Sequence, residues 1–421
     1  MTIINSLNYL ERAKELIPVC SQTFSKGYRY FVQGVSPLFI ERGEGSHIWD
    51  VDGNEYVDFI LGLCPITLGY HYPAVDRAVR DHLDKGIIFS LPSALEVELS
   101  ELISKVIPGA EMVRFSKTGS EACSAAVKLA RDFTGREKIA NYGYHGWHEW
   151  YSVGTELPRG SAKVLKDYIY DFNYNNLRSL ERIFYEHPNE IAAVFMEPVV
   201  NTLPENNFLP RVKELTHRNG ALLIFDEIVT GFRLAIGGGS EYFKVVPDIA
   251  TFGKGMANGL PLNCVVGRRD IMKNFENIFF SGTFGGECLS LAGSIATINE
   301  FISKPVISHN WGMGKMIVDG LEAQDIPTTG YPCRPIYSLT ELYPKDENLV
   351  TSVFVQEMHK RGILVHSVPA FNICYSHTSR DIGIMLVCFA ETVAIIRKAV
   401  SKGKLESLLQ GTRVKQAFKR L

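Results

Sequence analysis

The sequence predicts an α/β protein, with a large domain built on a mostly parallel sheet and a smaller α+β domain. The first observation is that helical segments alternate with short apolar strands from Pro73 to about residue 305, as in parallel βαβ units. The second is that helices flank only a few strands after residue 306. The third is the length of 421 residues, which exceeds the usual size of a single hydrophobic core.

The chain begins with a segment that we assign to the smaller domain. Residues 6–28 have helical periodicity, and Pro37–Phe59 alternates like paired strands around a turn at Asp52 and Gly53. We therefore expect an N-terminal arm and hairpin of the small domain at 1–60, a large domain at 61–305 and the rest of the small domain at 306–421.

The longest apolar runs are too short to cross a bilayer. They are IAAVF at 191–195, ALLIF at 221–225 and IMLVCFA at 384–390. A membrane-spanning helix needs roughly 20 apolar residues. We interpret all three runs as buried strands and expect no membrane partner.

Composition and charge point to a small-molecule ligand. The chain is 46% hydrophobic and 21% charged, with a formal net charge of -2, which is ordinary for a globular protein. Lys and Arg are scattered rather than clustered, so we expect no nucleic-acid partner. Charges interrupt the amphipathic N-terminal stretch MTIINSLNYLERAKELIPV, unlike the apolar run of a signal peptide, so we expect a cytoplasmic protein.

Metal and nucleotide motifs are not found. The eight cysteines lie far apart and form no C-x-x-C pair, so we interpret them as reduced, mostly buried thiols. His145, His148 and Glu149 could suggest a metal site, but their spacing is not H-E-x-x-H and no third ligand cluster follows. We expect no metal. The glycines at 237–239 do not form G-x-G-x-x-G, so a nucleotide-binding oxidoreductase is not supported.

Two charged side chains follow apolar strands, at the sheet edge where ligands bind in open α/β folds. Asp226 ends the strand ALLIF, where its carboxylate could pair with a protonated ring nitrogen. An isolated Asp there is more often a helix cap or a salt-bridge partner. Lys254 follows DIATF between two glycines, and burial there would favour the neutral amine needed for imine formation. Taken alone, a surface lysine is the simpler interpretation.

Two further segments could hold other parts of a ligand. Thr118, Gly119 and Ser120 precede the helical segment EACSAAVKLAR. Hydroxyl and backbone donors at a helix N-terminus attract a phosphate, although a simple N-cap would have the same residues. The aromatic segment 142–148 follows the strand KIA, and one of its rings could stack on a heteroaromatic cofactor.

In this order and spacing, the segments resemble one enzyme family over almost the whole chain. The chain contains FIERGEGSHIWDVDGNEYVDF, MVRFSKTGSEACSAAVKLAR, YHGWHEW, AAVFMEPV, LLIFDEIVTGFR, PDIATFGKGMANGLPL and SGTFGGE. This pattern resembles the class III (subgroup II) aminotransferases of fold type I, and it is most similar to glutamate-1-semialdehyde 2,1-aminomutase and its relatives. The resemblance implies an enzyme that uses pyridoxal 5'-phosphate (PLP) and a mostly parallel seven-stranded sheet in the PLP-binding large domain.

The resemblance also implies roles for individual positions. Lys254 resembles the lysine that holds PLP as a Schiff base, the internal aldimine, and Asp226 resembles the partner of the pyridinium nitrogen. Tyr144 resembles the aromatic residue stacked on the PLP ring, and Ile228 the branched side chain on its opposite face. The other implied cofactor-binding positions are Thr118, Gly119, Ser120, His145, Glu197 and Thr283, with Glu227 near the cofactor. Thr283 resembles a residue that reaches the PLP phosphate of a neighbouring subunit, so a homodimer with shared sites is implied.

Three departures from the aminomutase pattern bear on the substrate. The N-terminal segment reads QGVSPLFIER, with no clear counterpart of the aminomutase's carboxylate-binding arginine. Leu63 stands where the aminomutase has a tryptophan, and Asn372 lies near the place of a family glutamate. An arginine usually grips the carboxylate of a small substrate, because its planar fork matches the two oxygens. Arg29 and Arg42 of the N-terminal arm could substitute for that arginine, as could Arg233, for which a structural role is the simpler interpretation. Weighing these, we expect the acceptor to differ from glutamate 1-semialdehyde.

The expected reaction is transfer of an amino group between a small-molecule amine donor and a carbonyl acceptor. A larger acceptor, such as a sugar- or polyketide-derived carbonyl compound, is consistent with the three departures from the aminomutase pattern. One alternative is glutamate-1-semialdehyde 2,1-aminomutase itself, which makes 5-aminolevulinate. The other is a non-catalytic binding subunit of the same fold, which the presence of the lysine, the aspartate and the phosphate-binding residues disfavours.

Overall fold

The computed structural model describes residues 1–415 of the chain. Its strands within these residues are β1 Ile40–Glu44, β2 His47–Asp50, β3 Glu55–Asp58, β4 Met112–Ser116, β5 Lys138–Tyr142, β6 Ile169–Asp171, β7 Ile191–Met196, β8 Leu222–Asp226, β9 Ile249–Phe252, β10 Asn263–Gly267, β11 Thr328–Tyr331, β12 Arg334–Tyr337 and β13 Ile363–Leu364.

The α-helices of the same residues are α1 Ile4–Leu16, α2 Pro73–Leu83, α3 Ala94–Val106, α4 Gly119–Thr134, α5 Glu149–Ser152, α6 Leu177–Glu186, α7 Phe208–Arg218, α8 Gly238–Tyr242, α9 Arg269–Met272, α10 Cys288–Ser303, α11 Val306–Glu322, α12 Glu347–Lys360 and α13 Ser379–Ser401. None of these helices has the combined length and apolar character that crossing a membrane requires.

The chain divides into two compact units. Within the described residues, the first contains Met1–Tyr72 together with residues 308–415, and the second contains Pro73–Ile307.

The second unit is built on a seven-stranded sheet with the order β4-β10-β9-β8-β7-β5-β6. Strand β10 is antiparallel to both of its neighbours, β4 and β9. The remaining pairs, β9 with β8, β8 with β7, β7 with β5 and β5 with β6, are parallel. The predicted α/β class with a mostly parallel seven-stranded sheet is confirmed.

Helix α4 packs on this sheet through small side chains. Its buried face includes Ala122, Ala125, Ala126 and Ala130, which pack with sheet residues such as Phe195 and Ile224. Alanine has high helix propensity and lets a helix approach a sheet closely. The helix ends at Gly135, whose φ of +66° suits a glycine after a helix. The helix begins three residues after β4 ends, so its N-terminus lies at the carboxyl edge of the sheet.

The first unit has a four-stranded sheet in the order β1-β2-β3-β13 and a two-stranded sheet of β11 and β12. Strands β2 and β3 are antiparallel, with His47 opposite Val57. The hairpin that the Asp52-Gly53 turn predicts is therefore present. The core of this unit contains buried aromatic residues from several elements, among them Phe59, Phe354, Phe371 and Phe389.

Two sequence-based assignments in the first unit are wrong. The helix predicted over 6–28 ends at Leu16, because Pro18 disfavours helical backbone at the residue before it and short 3-10 turns follow. The run IMLVCFA is not a strand but lies inside helix α13. This helix starts with a capping box of Thr378 and Asp381. Its buried residues include Met385 and Phe389, spaced four apart on one helical face.

Asn372 holds a turn of unusual backbone conformation in the same unit. Residues 61–64 all have positive φ, including Leu63 at +75° and Cys64 at +82°. Asn372 Nδ2 donates to the carbonyl oxygen of Ile60 over 3.0 Å, and Asn372 Oδ1 accepts from the thiol of Cys64 over 3.1 Å. Positive φ at a non-glycine residue costs about 1–3 kcal/mol and persists only where the surroundings enforce it. The buried amide of Asn372 is one such restraint.

Two buried histidines make the stability of the first unit depend on pH. Burial lowers the pKa of His359 to about 4 and that of His377 to about 4, against about 6.5 in an unfolded chain. Between pH 6.5 and pH 4 the unfolded chain therefore binds protons that the folded chain does not. We expect the free energy of unfolding to fall as the pH is lowered through this window, by up to about 3 kcal/mol for each histidine.

Thermal unfolding of the wild type and of His377→Gln at pH 7 and pH 4.5 checks this expectation. Glutamine does not titrate, so the drop in Tm between the two pH values should be smaller in the variant. An equal drop in both proteins would contradict the assignment.

Candidate active site

The carboxylate of Asp226 lies buried at the end of strand β8 and accepts hydrogen bonds from four directions. Its Oδ2 accepts from His145 Nδ1 over 2.7 Å and from the thiol of Cys123 over 3.5 Å. Its Oδ1 accepts from the backbone N–H of Ile228 over 3.1 Å and from Thr251 Oγ1 over 3.4 Å. Burial raises the pKa of the Cys123 thiol, and nearby Asp226 adds to the shift, so the thiol stays a donor.

Aromatic residues hold the ring of His145. It stacks on Phe195 with a centroid distance of 4.1 Å and an interplanar angle of 11°. Trp150 lies parallel to it at 6.2 Å, and Tyr151 meets it edge-on at 5.5 Å. Strand β7 supplies Phe195 and the segment after β5 supplies the other rings. The side chain of His145 therefore has little freedom to leave Asp226.

The start of helix α4 presents backbone donors. Thr118 is the N-cap, and its hydroxyl accepts from the N–H of Glu121 over 3.2 Å. Glu121 in turn accepts from the N–H of Thr118 over 2.9 Å, which completes a capping box. The N–H groups of Gly119 and Ser120 stand between these two and have no acceptor within the helix. Together with the helix dipole, they favour an anion.

Gly119 brings the end of strand β8 and the start of α4 into contact. A side-chain carbon on Gly119 would lie 2.8 Å from Ile228 Cδ1, closer than real carbon atoms approach. Ile228 follows Asp226 by two residues. The predicted phosphate-binding turn and the predicted ring-binding residues are therefore adjacent.

Lys254 follows strand β9 and begins a short 3-10 helix, Lys254–Ala257. Its φ of +42° is left-handed, a conformation that costs free energy and is common at functional positions. Asn263, the first residue of β10, donates from Nδ2 to the carbonyl oxygen of Lys117 over 2.9 Å. Its Oδ1 fills the space that a side chain on Gly253 would need. Asn263 thus joins the residue before Lys254 to the residue before Thr118.

Two glutamates have different surroundings. Glu197 Oε1 accepts from the backbone N–H of Tyr144 over 2.8 Å, which fixes the position of that residue. Glu227 points into the protein, where Gly239, Ser240 and Thr230 all donate to it. Burial raises the pKa of Glu227, although these hydrogen bonds oppose the shift. We infer that these hydrogen bonds to Glu227 fix the backbone of the segment after β8.

Thr283 is exposed and lies in a turn before helix α10. Four residues later, Glu287 forms an ion pair with Lys117 over 2.9 Å. This pair brings the segment of Thr283 near the start of α4. No recorded hydrogen bond within residues 1–415 joins Thr283 to the residues around Asp226.

The Cys123, His145 and Asp226 side chains offer ligand atoms within 4.8 Å of one another. The 2.7 Å between His145 Nδ1 and Asp226 Oδ2 is a hydrogen-bond distance. Two ligands of one tetrahedral zinc ion would lie about 3.3 Å apart, given metal–ligand bonds of about 2.0–2.1 Å. The cluster therefore has the geometry of a hydrogen-bonded network.

The structure brings together most of the residues that the sequence indicates. Contacts connect Asp226, His145, Ile228 and Gly119, and Tyr144 with Glu197 form a separate contact. Sequence reasoning missed the donors Cys123 and Thr251 and the bridging residue Asn263. Thr251 could have been predicted from the sequence, because alternate residues of a strand such as β9 point to the same face of the sheet. Cys123 and Asn263 carry no sequence signal of their own.

Comparison with known proteins identifies the family. The model of the family described as Aminotransferase class-III matches residues 30–374. The chain is 33% identical over 417 residues to the 3-aminobutyryl-CoA aminotransferase of Cloacimonas acidaminovorans, covering 94% of this chain and 99% of that protein. It is 33% identical over 427 residues to a glutamate-1-semialdehyde 2,1-aminomutase of Alkaliphilus oremlandii, covering 93% and 99% of the two chains.

A solved structure with a similar fold is that of the FumI protein of Sphingopyxis sp. MTA144, described as its PLP internal aldimine form. It is 25% identical, has a TM-score of 0.88 and covers 96% of this chain and 99% of the other. With the family match over most of the chain, these similarities agree with the buried carboxylate and with the helix start described above, whose backbone N–H groups favour an anion. The chain belongs to the class III aminotransferase family and is a PLP-dependent enzyme.

Proposed function

We propose that Lys254, Asp226 and the start of helix α4 form the PLP site of an amino-group transferase. The observation that carries this proposal is the buried Asp226 carboxylate, which lies near a helix start whose first backbone N–H groups have no acceptor within the helix. A cationic ring nitrogen and a phosphate group on one small molecule would match this pair of charges.

The residues present fit PLP in their chemistry. The N–H groups of Gly119 and Ser120, with the hydroxyls of Thr118 and Ser120, would hold the phosphate. Ile228 would lie against one face of the ring and Tyr144 against the other, with Glu197 fixing the backbone of Tyr144. Bound PLP supplies an aldehyde that condenses with amines and a ring that accepts electron density from the substrate.

Lys254 would be the amine that holds the cofactor and moves the reacting proton. Its segment is anchored on both sides, because Gly253 packs against Asn263 and strand β10 follows. An amine fixed in this way can accept a proton from the substrate α-carbon and return it to a neighbouring carbon. Asp226 would keep the ring nitrogen protonated, since a buried carboxylate favours a cation beside it.

The substrate that we propose is an amine or carbonyl compound other than glutamate 1-semialdehyde. Support comes from the missing counterpart of the carboxylate-binding arginine and from Leu63 and Asn372. The amide of Asn372 already bonds Ile60 and Cys64, which suits a residue that shapes a turn. A similar enzyme that spans nearly the whole chain is named for 3-aminobutyryl-CoA, so β-amino compounds and larger carbonyl compounds are suitable test substrates.

Glutamate-1-semialdehyde 2,1-aminomutase is the second candidate, because similar proteins carry that name, one of them 37% identical over 311 residues. Supplying glutamate 1-semialdehyde to the holoenzyme and measuring 5-aminolevulinate separates the two. We expect a kcat/KM well below the value of about 10⁴ M⁻¹s⁻¹ that marks an ordinary enzyme on its substrate. A panel of amine donors and acceptors, including 3-aminobutyryl-CoA, should contain a better substrate. Efficient formation of 5-aminolevulinate would instead establish the aminomutase.

The proposed assembly is a homodimer in which Thr283 contributes to the cofactor phosphate site of the neighbouring subunit. Ile87, Phe89 and Leu91 are exposed apolar residues, and so is Phe284 beside Thr283. A hydrogen bond of 2.8 Å from the N–H of Cys288 to the carbonyl oxygen of Ile87 joins the two segments. Adjacent exposed apolar side chains are typical of a protein interface.

Mixing two inactive variants tests this assembly. Thr283→Glu would place a negative charge against the phosphate of the partner site, and Lys254→Ala would remove the reacting amine. A mixed dimer then has one complete site, so an equal mixture should recover roughly a quarter of wild-type activity if subunits exchange at random in a two-fold symmetric dimer. No recovery after mass spectrometry has verified mixed dimers would contradict sharing.

A further inference from the structure

The Asp226 carboxylate is oriented by one strong donor. Of the four donors that it accepts from, His145 Nδ1 is the nearest at 2.7 Å and the backbone N–H of Ile228 follows at 3.1 Å, whereas the thiol of Cys123 and the hydroxyl of Thr251 lie at 3.5 Å and 3.4 Å. Thiols are weak donors, and hydrogen bonds to a charged acceptor are stronger at short distance. Among the side chains, His145 is therefore the main restraint on the carboxylate, because it holds Oδ2 while the backbone of Ile228 holds Oδ1.

The surroundings of His145 select one tautomer. An ionised carboxylate only accepts hydrogen bonds, so Nδ1 carries the proton in the contact with Asp226. The other ring nitrogen, Nε2, is buried and has no hydrogen-bond partner among residues 1–415. A second proton there would be buried without an acceptor, which is costly. The stack with Phe195 at 4.1 Å prevents the ring from turning to exchange its two nitrogens.

We infer that His145 is a positioning residue, a neutral Nδ1–H donor that orients the Asp226 carboxylate toward the cofactor ring nitrogen. This inference rests on the proposed role of Asp226. His145 acts through Asp226 and reacts with nothing itself. Without this donor the carboxylate can rotate toward Thr251, and its electrostatic interaction with a cationic ring nitrogen weakens.

A second histidine–aspartate pair, in which the histidine is more exposed, provides a control in the same unit. His217 Nε2 lies 2.7 Å from Asp248 Oδ2, the same separation as in the first pair. Asp248 also accepts from the backbone N–H of Leu223, at the other end of strand β8 from Asp226. Loss of His217 should therefore change stability without changing cofactor binding.

The experiment compares His145→Leu, His145→Asn and His217→Asn as full-length proteins. Asparagine Nδ2 occupies the position of histidine Nδ1 relative to the backbone, so His145→Asn keeps the donor, whereas leucine removes it. The readouts are the PLP dissociation constant, the pH dependence of the visible cofactor absorption, and kcat and KM measured separately. Circular dichroism and thermal unfolding establish that each variant is folded.

We expect His145→Leu to weaken PLP binding about 10-fold to 100-fold, the range for a hydrogen bond to a charged group. It should also shift the pH dependence of the absorption and lower kcat more than it changes KM. His145→Asn should stay within about 3-fold of the wild type, since it keeps a donor at the same position. His217→Asn should leave PLP binding and the absorption unchanged.

Wild-type binding and absorption in His145→Leu would overturn the inference, as would equal losses in His145→Leu and His145→Asn. If His145→Leu does not fold, the tautomer of His145 in the holoenzyme decides. A histidine ¹⁵N spectrum of the holoenzyme, with the His145 signal assigned through His145→Asn, should show a protonated Nδ1 and an unprotonated Nε2. The reverse tautomer would overturn the inference. Failure of the wild type to bind PLP would overturn the proposed function itself, and the inference with it.

Discussion

Replacing Lys254 by alanine is expected to abolish covalent retention of PLP and to lower kcat by about 10⁴-fold or more, since the variant loses both the attachment point and the group that moves the proton. After borohydride treatment and digestion, mass spectrometry of the wild type should find the reduced cofactor on the peptide that contains Lys254. Kinetics with a substrate from the donor panel give the change in kcat.

Lys244→Ala is a suitable control for this experiment. Lys244 also has a left-handed backbone, with a φ of +56° against +42° for Lys254, so both substitutions replace a lysine by alanine in the same backbone conformation. Lys244 is exposed and follows helix α8. Its replacement should leave trapping and turnover unchanged. Undiminished trapping in Lys254→Ala would show that another lysine holds the cofactor.

Asp226→Asn is expected to lower kcat by about 100-fold or more, the size of effect produced by removing one preorganised charge-stabilising group. Asparagine keeps the shape of the side chain but removes the negative charge. PLP should still bind, because the start of helix α4 is intact, but the ring nitrogen would lose the anion that keeps it protonated. Absorption spectroscopy measures cofactor occupancy, and stopped-flow kinetics measure proton abstraction.

Asp248→Asn is the matched control for the loss of a buried, histidine-paired carboxylate. Asp248 is as buried as Asp226, at 3% exposure for each, and it pairs with His217 and Arg268. His217 and Arg268 are themselves 40% and 45% exposed, so losing these contacts should cost less than the about 3–5 kcal/mol of a fully buried pair. We expect a lower Tm and an unchanged kcat in this variant. Turnover near the wild-type value in Asp226→Asn would refute its role toward the cofactor.

Much of the second unit could be predicted from the sequence, because short apolar strands and intervening helices have distinct periodicities. Asp226 at the end of strand β8 and Lys254 shortly after strand β9 indicated the candidate site, since carboxyl ends of parallel strands share one edge. The contact of His145 with Asp226 could not be predicted from spacing, because 81 positions separate the two residues. Only the order of the strands in the sheet brings them together.

The first unit was harder to predict, and helix α13 shows why. The run IMLVCFA is apolar on consecutive positions, so its local pattern does not distinguish a buried strand from a buried helix. The capping box at Thr378 and Asp381 is the deciding signal. Likewise, no sequence pattern predicts the positive φ of Leu63 and Cys64. Cytoplasmic location and the absence of a metal remain predictions from the sequence.

The antiparallel direction of strand β10 lowers the entropy cost of fixing the segment between β9 and β10, which contains Lys254. A parallel β10 would require a crossover, and its first residue would lie at the opposite edge of the sheet. Because β10 is antiparallel to β9, residues 253–262 form a short closed loop between two buried strands. Closing a loop this short costs little conformational entropy, and this entropy cost grows only slowly with loop length. The position of Lys254 is thus fixed locally, and insertions in distant connections of the sheet should leave it in place.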